Sequence, residues 1–258
     1  MERADICLVN LGLAKSRTYA KKIISEKRAF YDGKVIEKVS MLIEDEKLIT
    51  INSTFEDTYV GRGAIKLDCA IKNFNLNLNN LVCMDIGAST GGFTQIMLNE
   101  NAKKVYAIDV GRGQLDWKLR TDSRVVNIER TNIRYFQNDE IKNTIDFASV
   151  DVSFISLNLI FPVMKNMLSE NGYAVCLVKP QFEAGREQVG SKGIVRDKKV
   201  HESVVKKVIT YAENNALEPI GITYSPLKGA KGNIEFLMYI KNANDAQTQY
   251  ITEDVIAK

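Results

Sequence analysis

LVCMDIGASTGGF, residues 81–93, joins an apolar run to a glycine-rich turn through one acid. Leu81, Val82, Cys83, Met84 and Ile86 form a short continuous apolar run closed by turn residues, the pattern of a parallel strand buried on both faces. Gly87, Gly91 and Gly92 let the backbone bend and come close to a ligand, and residues 94–99 read as a helix opening from that turn. A second apolar strand, residues 105–108, ends in Asp109, which follows Gly87 by 22 residues. That is close to the separation at which nucleotide-binding folds set a carboxylate against ribose hydroxyls.

The spacing is D-x-G-x-x-x-G-G-F and not the G-x-G-x-x-G of dinucleotide sites. A pyrophosphate needs amides converging on a helix start, whereas Asp85 at this strand end would repel it. Acids at two strand ends suit a ligand that carries an ammonium, a ribose and an adenine, and S-adenosylmethionine fits that description. An ordinary α/β turn with glycines for geometry alone is the competing reading of this stretch. The candidate cofactor residues are Asp85, Gly87, Ser89, Thr90, Gly91, Gly92, Phe93 and Asp109. Glu129, just after a third strand, is expected near the adenine or its ribose, and no metal ion is called for.

Working outward, 258 residues are long for one core and comfortable for a small domain plus a larger one. An apolar fraction of 45% with 26% charged residues is that of a soluble globular chain. The net charge of +3 is mild, so any nucleic-acid surface must come from local clustering. Cys7, Cys69, Cys83 and Cys176 stand singly in apolar patterns, which a reduced cytoplasmic interior explains. The uncharged run at residues 152–164 is too short and too polar to span a bilayer, so stable membrane association is not expected.

Residues 1–58 read as a unit of their own. Ala4, Cys7, Leu8 and Leu11 recur at helical spacing, Gly12 can end that helix, and Ser16 caps a second one running to about Lys27. Tyr19, Ala20, Ile23 and Ile24 make its apolar face, with Arg17, Lys21 and Arg28 along one edge. A hairpin over residues 29–36, turning at Asp32-Gly33, brings Lys34 back towards the helix. Residues 1–40 hold nine Lys or Arg against five Asp or Glu. A helix pair plus hairpin with a basic edge is a phosphate-backbone binder or a solvated face; the binding reading assigns Arg3, Lys15, Arg17, Lys21, Lys22, Arg28 and Lys34 to RNA.

Past a polar link at residues 52–58, Ala64, Leu67, Ala70 and Ile71 mark a helix with Lys66 near its start. Strands are expected at 125–128, 145–150, 173–178, 217–223 and 234–240, and helices at 114–120, 155–167 and 198–214. The alternation predicts an α/β fold with a Rossmann-like, doubly wound, mostly parallel sheet, with a reversed strand at the end, over residues 59–245, leaving a tail at 246–258. Ligands in such sheets lie beyond the carboxyl ends of the strands, where Asp85, Asp109, Asp151 and Lys179 fall. Glu235 interrupts the last apolar run, and a carboxylate there needs a cation, for which Lys179 is the expected partner. Taken one at a time, each of these residues also reads as part of a structural ion pair. The connection over residues 181–196 is long for a strand-to-helix loop and is expected to be an RNA-facing lid, with Phe182 stacking on a displaced base and Arg186 beside it. His201 is assigned no role.

The segments GLAKSRTYAKKII, RGAIKL, DIGASTGGFT, AIDVGRGQL, SVDVSFISL, LVKPQFEAGRE followed by KGIVRD, and GNIEF together resemble the TlyA family over most of the chain. The family is one of haemolysin-like rRNA methyltransferases with an S4-type α+β RNA-binding domain ahead of an FtsJ-like catalytic domain. The resemblance implies a catalytic Lys-Asp-Lys-Glu tetrad at Lys66, Asp151, Lys179 and Glu235. It departs at Gly61 and Ile65, where the family commonly has a serine and a histidine. It further implies methyl transfer from S-adenosylmethionine, with Asp151 also beside the cofactor, to a cytidine ribose 2′-hydroxyl of large-subunit 23S RNA and, for some members, of small-subunit 16S RNA. Lys179 would accept the proton, Asp151 and Glu235 would orient it, and Lys66 would hold the 2′-oxygen. A monomer working on a ribosomal subunit is expected. Two other readings stay open: a membrane-active haemolysin, and an RNA-binding ribosome assembly factor without turnover.

Overall fold

The computed structural model describes residues 1–54 and 58–243. The tail expected at 246–258 lies outside the described residues. The chain divides into two compact units, Met1–Val60 and a second beginning at Gly61.

In the first unit β1 (Glu2–Arg3) leads into α1 (Ala4–Asn10) and α2 (Arg17–Ser25). Gly12 has φ +71°, and the Ser16 hydroxyl accepts the Tyr19 N–H at 3.2 Å, capping α2. β2 (Ala29–Tyr31) and β3 (Lys34–Val35) form a hairpin through Asp32 and Gly33 at φ +49° and +73°, the twist that a two-residue turn between antiparallel strands requires. β4 (Leu42–Ile43) pairs with β1, and β5 (Ile49–Ile51) with β2. Leu8, Ile23, Ile24, Ala29, Ile36 and Ile43 close the core between helices and strands.

The second unit opens with α3 (Gly63–Phe74), whose Ala64, Leu67, Ala70 and Ile71 are buried. Next come β6 (Val82–Ile86), α4 (Gly92–Asn99), β7 (Lys104–Ile108), α5 (Trp117–Arg120) and β8 (Val125–Ile128). β9 (Ile145–Val150), α6 (Phe161–Met167), β10 (Leu168–Val178), α7 (Pro180–Glu183), α8 (Lys198–Glu213), β11 (Leu217–Tyr224) and β12 (Phe236–Asn242) complete it. One seven-stranded sheet holds them in the order β11-β12-β10-β9-β6-β7-β8. The pairs from β8 through β10 are parallel, whereas β12 is antiparallel to both its neighbours. The last strand in sequence is thus reversed and inserted between β10 and β11. Met84 and Ile86 join the larger core with Ile108, Val150, Val178 and Phe161, while Cys83 is also buried, so β6 is covered on both faces.

The chain leaves β6 for β7 and β8 on one side, then crosses over to β9 and β10 on the other. That reversal opens a crevice between the carboxyl ends of β6 and β9, the usual ligand position in such sheets. The expected helix at 155–167 is broken. Ser156 caps a single 3₁₀ turn, Leu157–Leu159, and α6 starts separately with Pro162 in its first turn. The expected helix at 114–120 shrinks to α5, capped by Asp116. The expected loop at 181–196 contains the end of α7 and a 3₁₀ turn at Arg186–Gln188. Among the described residues no helix is long and apolar enough to cross a membrane.

Candidate active site

β6 ends against the glycine loop, and the glycines have distinct physical reasons. Gly87 and Gly91 sit at φ +85° and +93°, where a side chain is strained. A Cβ on Gly87 would stand 2.5 Å from the Asp151 carbonyl oxygen, so the loops after β6 and β9 are in backbone contact. A Cβ on Gly92 would stand 2.8 Å from the Ala64 amide nitrogen, so the starts of α4 and α3 meet just as closely.

Two lobes open on this floor and share Gly87, Ser89, Asp151 and Ser153. One, of about 450 Å³, has apolar walls from Ile108, Val110, Ile133, Val152 and Ile155, with Asp109 at its edge. The other, of about 300 Å³, is lined by Arg62, Asp85, Thr90, Gly92 and Phe93 among others. An apolar slot beside a carboxylate, continuous with a polar lobe walled by backbone, fits an adenosine carrying an amino-acid arm.

Asp85 is 1% exposed and already takes three donors: the Thr94 N–H at 2.9 Å, the Thr94 hydroxyl at 2.7 Å and the Ser149 hydroxyl at 3.0 Å. Burial pushes its carboxyl up to about 6, against the pull of Thr94 and Ser149. Asp109 accepts the Ser89 N–H at 2.8 Å and the Gly111 N–H at 2.6 Å, which binds the glycine loop to the next strand. Glu129 does not line either lobe. Its carboxylate accepts from the Gly113 N–H and from Arg120, and hydrogen bonds, led by one from Asn127, hold it below the usual range.

The four implied catalytic residues come together from four elements in one line of alternating charge. Lys179 Nζ is 2.6 Å from Asp151 Oδ1, Asp151 Oδ2 is 3.5 Å from Lys66 Nζ, and Lys66 Nζ is 2.9 Å from Glu235 Oε2. Glu235 is 3% exposed and Lys179 is 7% exposed; ions so buried persist only when paired this closely. The partner expected for Glu235 is corrected: it holds Lys66, brought over β12 by α3, while Lys179 turns to Asp151 at the end of the neighbouring parallel strand. Two further groups finish the line. Lys179 Nζ donates to the Ser153 hydroxyl at 3.2 Å, and Gln181 Nε2 donates to Glu235 Oε1 at 3.2 Å. Neither was read from the sequence, although both lie within two residues of a tetrad member.

The site rim holds an aromatic pair. Phe182 packs at 5.0 Å, centroid to centroid, on Phe154, which is 90% exposed and adopts φ +62°. Phe154 lies in the SVDVSFISL segment, but nothing in a phenylalanine announces a left-handed backbone. His201 is buried with Nε2 3.1 Å from the Val195 carbonyl oxygen.

In the first unit the basic edge is thinner than its composition. Arg3 and Arg17 both bond the fully buried Asp5, at 3.0 and 2.8 Å, and hold its carboxyl at about 2. Arg28 bonds Glu26 at 2.8 Å and the Asn52 carbonyl at 3.1 Å. Lys15 and Lys22 lie over the Tyr19 ring, while Lys21 and Lys34 are exposed. Arg186, in the catalytic unit, is also exposed.

Residues 59–242 match the FtsJ-like methyltransferase model, and residues 2–49 match the S4 domain. The chain belongs to the FtsJ-like methyltransferases. Within them it is a TlyA-family member: it is 39% identical over 243 residues to the 16S/23S rRNA (cytidine-2′-O)-methyltransferase TlyA of Mycobacterium tuberculosis, covering 94% of this chain and 91% of that one. YqxC of Bacillus subtilis is 43% identical over 259 residues, covering 100% of this chain and 92% of YqxC. A solved structure from Streptococcus thermophilus that carries a haemolysin name superposes with TM-score 0.75 at 41% identity, covering 99% of this chain and 94% of that one. In this family the FtsJ-like fold carries methyl transfer, so the cleft at the switch between β6 and β9 belongs to an enzyme.

Proposed function

We propose that this protein moves the methyl group of S-adenosylmethionine to the 2′-hydroxyl of a cytidine in ribosomal RNA, in 23S RNA alone or in both 23S and 16S RNA, acting as a cytoplasmic monomer on ribosomal subunits. The observation that carries this reading is the Lys179–Asp151–Lys66–Glu235 line, lodged beside a glycine-walled cleft of adenosine shape. The M. tuberculosis relative's name supports the substrate.

Residues 59–245 would perform the transfer and residues 1–58 would anchor the RNA. Gly87, Ser89, Thr90, Gly91, Gly92 and Phe93 would cradle the cofactor, Asp109 would hold its ribose, and Asp85 would fix the loop through Thr94. When bound, S-adenosylmethionine supplies an electrophilic methyl on a sulfonium, so the protein's part is mainly in-line positioning and proton removal. Lys66, fixed by Glu235 and Asp151, holds the 2′-oxygen. Lys179, once it has given up its own proton to solvent, collects that of the 2′-hydroxyl, and Asp151, 2.6 Å away, balances the charge this restores. Gln181 and Ser153 keep the outer ends of the line in place.

The test is incubation of the protein with labelled methyl donor and each purified ribosomal subunit, followed by mass spectrometric mapping of the modified nucleotide. Label on a cytidine ribose is the expected result. Label on a base, or none on either subunit, overturns the reading.

A further inference from the structure

We infer that Glu183 is a positioning residue for methyl transfer: its carboxylate ties the turn after Asp151 to the helix after Lys179, and so fixes where the acceptor ribose can lie. The inference rests on the function proposed above and deepens it.

Glu183 closes α7 and is only 4% exposed. Its Oε2 accepts the Ser156 hydroxyl at 2.7 Å and its Oε1 accepts the Leu157 N–H at 2.8 Å. Burial pushes this carboxyl above its ordinary range, while the two hydrogen bonds and Lys207 favour the charged form. Lys207 Nζ also donates to the Glu183 carbonyl oxygen at 2.9 Å, which pins the backbone of α7 to α8. A carboxylate this deeply buried is retained only where its donors are worth its desolvation.

The two segments it joins are the two that carry the reacting groups. One runs from Asp151 to Leu157, and the other from Lys179 to Glu183. Three cross-links connect them in sequence order: Ser153 to Lys179, the Phe154 ring to the Phe182 ring, and Ser156 with Leu157 to Glu183. Between the outer two, Phe154 is held at φ +62°, a conformation that persists only when its surroundings enforce it. Glu183 makes two of the hydrogen bonds in this ladder, against one from Lys179 and a ring contact from Phe182. The glycine floor of the donor cleft has its own anchors, Asp85 and Asp109, although Asp151 to Ile155 of the ladder also wall that cleft. Releasing Glu183 therefore loosens the acceptor side more than the glycine floor that holds the donor.

The experiment measures methyl transfer to the ribosomal subunit that the wild-type protein labels, together with S-adenosylmethionine affinity by calorimetry. Glu183→Ala is expected to lower kcat by at least about tenfold while donor affinity stays within about twofold. Glu183→Gln keeps the shape and one accepting oxygen and should recover most of the loss. A merely structural role would not couple to Lys179, so the deciding readout is a double-mutant comparison. Ser153→Ala should slow the wild type several-fold and add nothing in the Glu183→Ala background. If Glu183→Ala does not fold, Ser156→Ala replaces it in both measurements, with a smaller loss expected. A kcat within about twofold of wild type, donor affinity falling in step with kcat, or fully additive Ser153 and Glu183 effects would each overturn the inference. Absence of label with the wild-type protein would instead remove the underlying reading, and is seen before any variant is made.

Discussion

Asp151 spends its two oxygens on different lysines, and that division decides how substitutions in the line behave. Lys179→Ala removes the proposed proton acceptor and should cut methyl transfer by about 10²–10⁴-fold with donor affinity unchanged; a drop in donor affinity of similar size would reassign Lys179 to the cofactor. Glu235 acts through Lys66, so Lys66→Ala and Glu235→Gln should be strongly non-additive in kcat, whereas independent effects would break the pairing seen here. Asp85 makes a pH prediction. Its carboxyl binds a proton more tightly folded than unfolded, so from about 3.8 to about 6 the native state holds a proton that the unfolded state has lost. Stability from this group therefore falls as pH rises through that window and levels off above it. Asp85→Asn should remove that fall, worth up to about 1.4 kcal/mol per pH unit, as read by thermal midpoints from about pH 4 to about pH 7.

The elements that the residue pattern foretold are those whose burial is written in the side chains themselves. β6, β8 and β9 are mostly apolar runs, broken only by Asp85, Asn127, Asp146 and Ser149, and they appear within a residue of where the pattern puts them. The α6 region was misread because an apolar run suggests one helix, whereas Phe154 just before it is left-handed and Pro162 in its middle begins a separate helix. Asp151 and Lys179 could be placed at strand ends, Lys66 near a helix start and Glu235 in the last apolar run, but the pairing of Lys66 with Glu235 depends on α3 crossing β12, a tertiary fact with no local signal. The same holds for the first unit, where counting cations could not reveal that Asp5, 12 residues before Arg17, neutralises part of the basic edge. Two variants separate the donor from the acceptor at this scale. Gly92→Ala forces α4 away from the Ala64 amide of α3, the helix that carries Lys66, and should lower both donor affinity and turnover, by about tenfold or more. Phe182→Ala should lose RNA methylation and keep donor affinity; equal loss of both would remove its lid role.

At the scale of the whole molecule, division into a small unit with a basic edge and a larger catalytic one predicts that affinity and chemistry can be altered separately. Lys21 and Lys34 are exposed cations of the first unit's candidate edge with neither an acidic partner nor an aromatic ring beside them among the described contacts. The double variant Lys21→Glu with Lys34→Glu should weaken RNA binding and flatten the slope of log K against log salt by about two, while single-turnover methylation at saturating RNA is preserved. An unchanged slope would move the RNA footprint off this unit. Finally, Asp151 lines both donor lobes, touches Gly87 through its carbonyl oxygen and holds the two lysines with its carboxylate. A compound swollen where it presses on Asp151 would shift it and unseat both amines together, so a drug shaped for the small-molecule compartment would also spoil the enzyme's grip on its nucleic acid, and its inhibition would look mixed towards RNA.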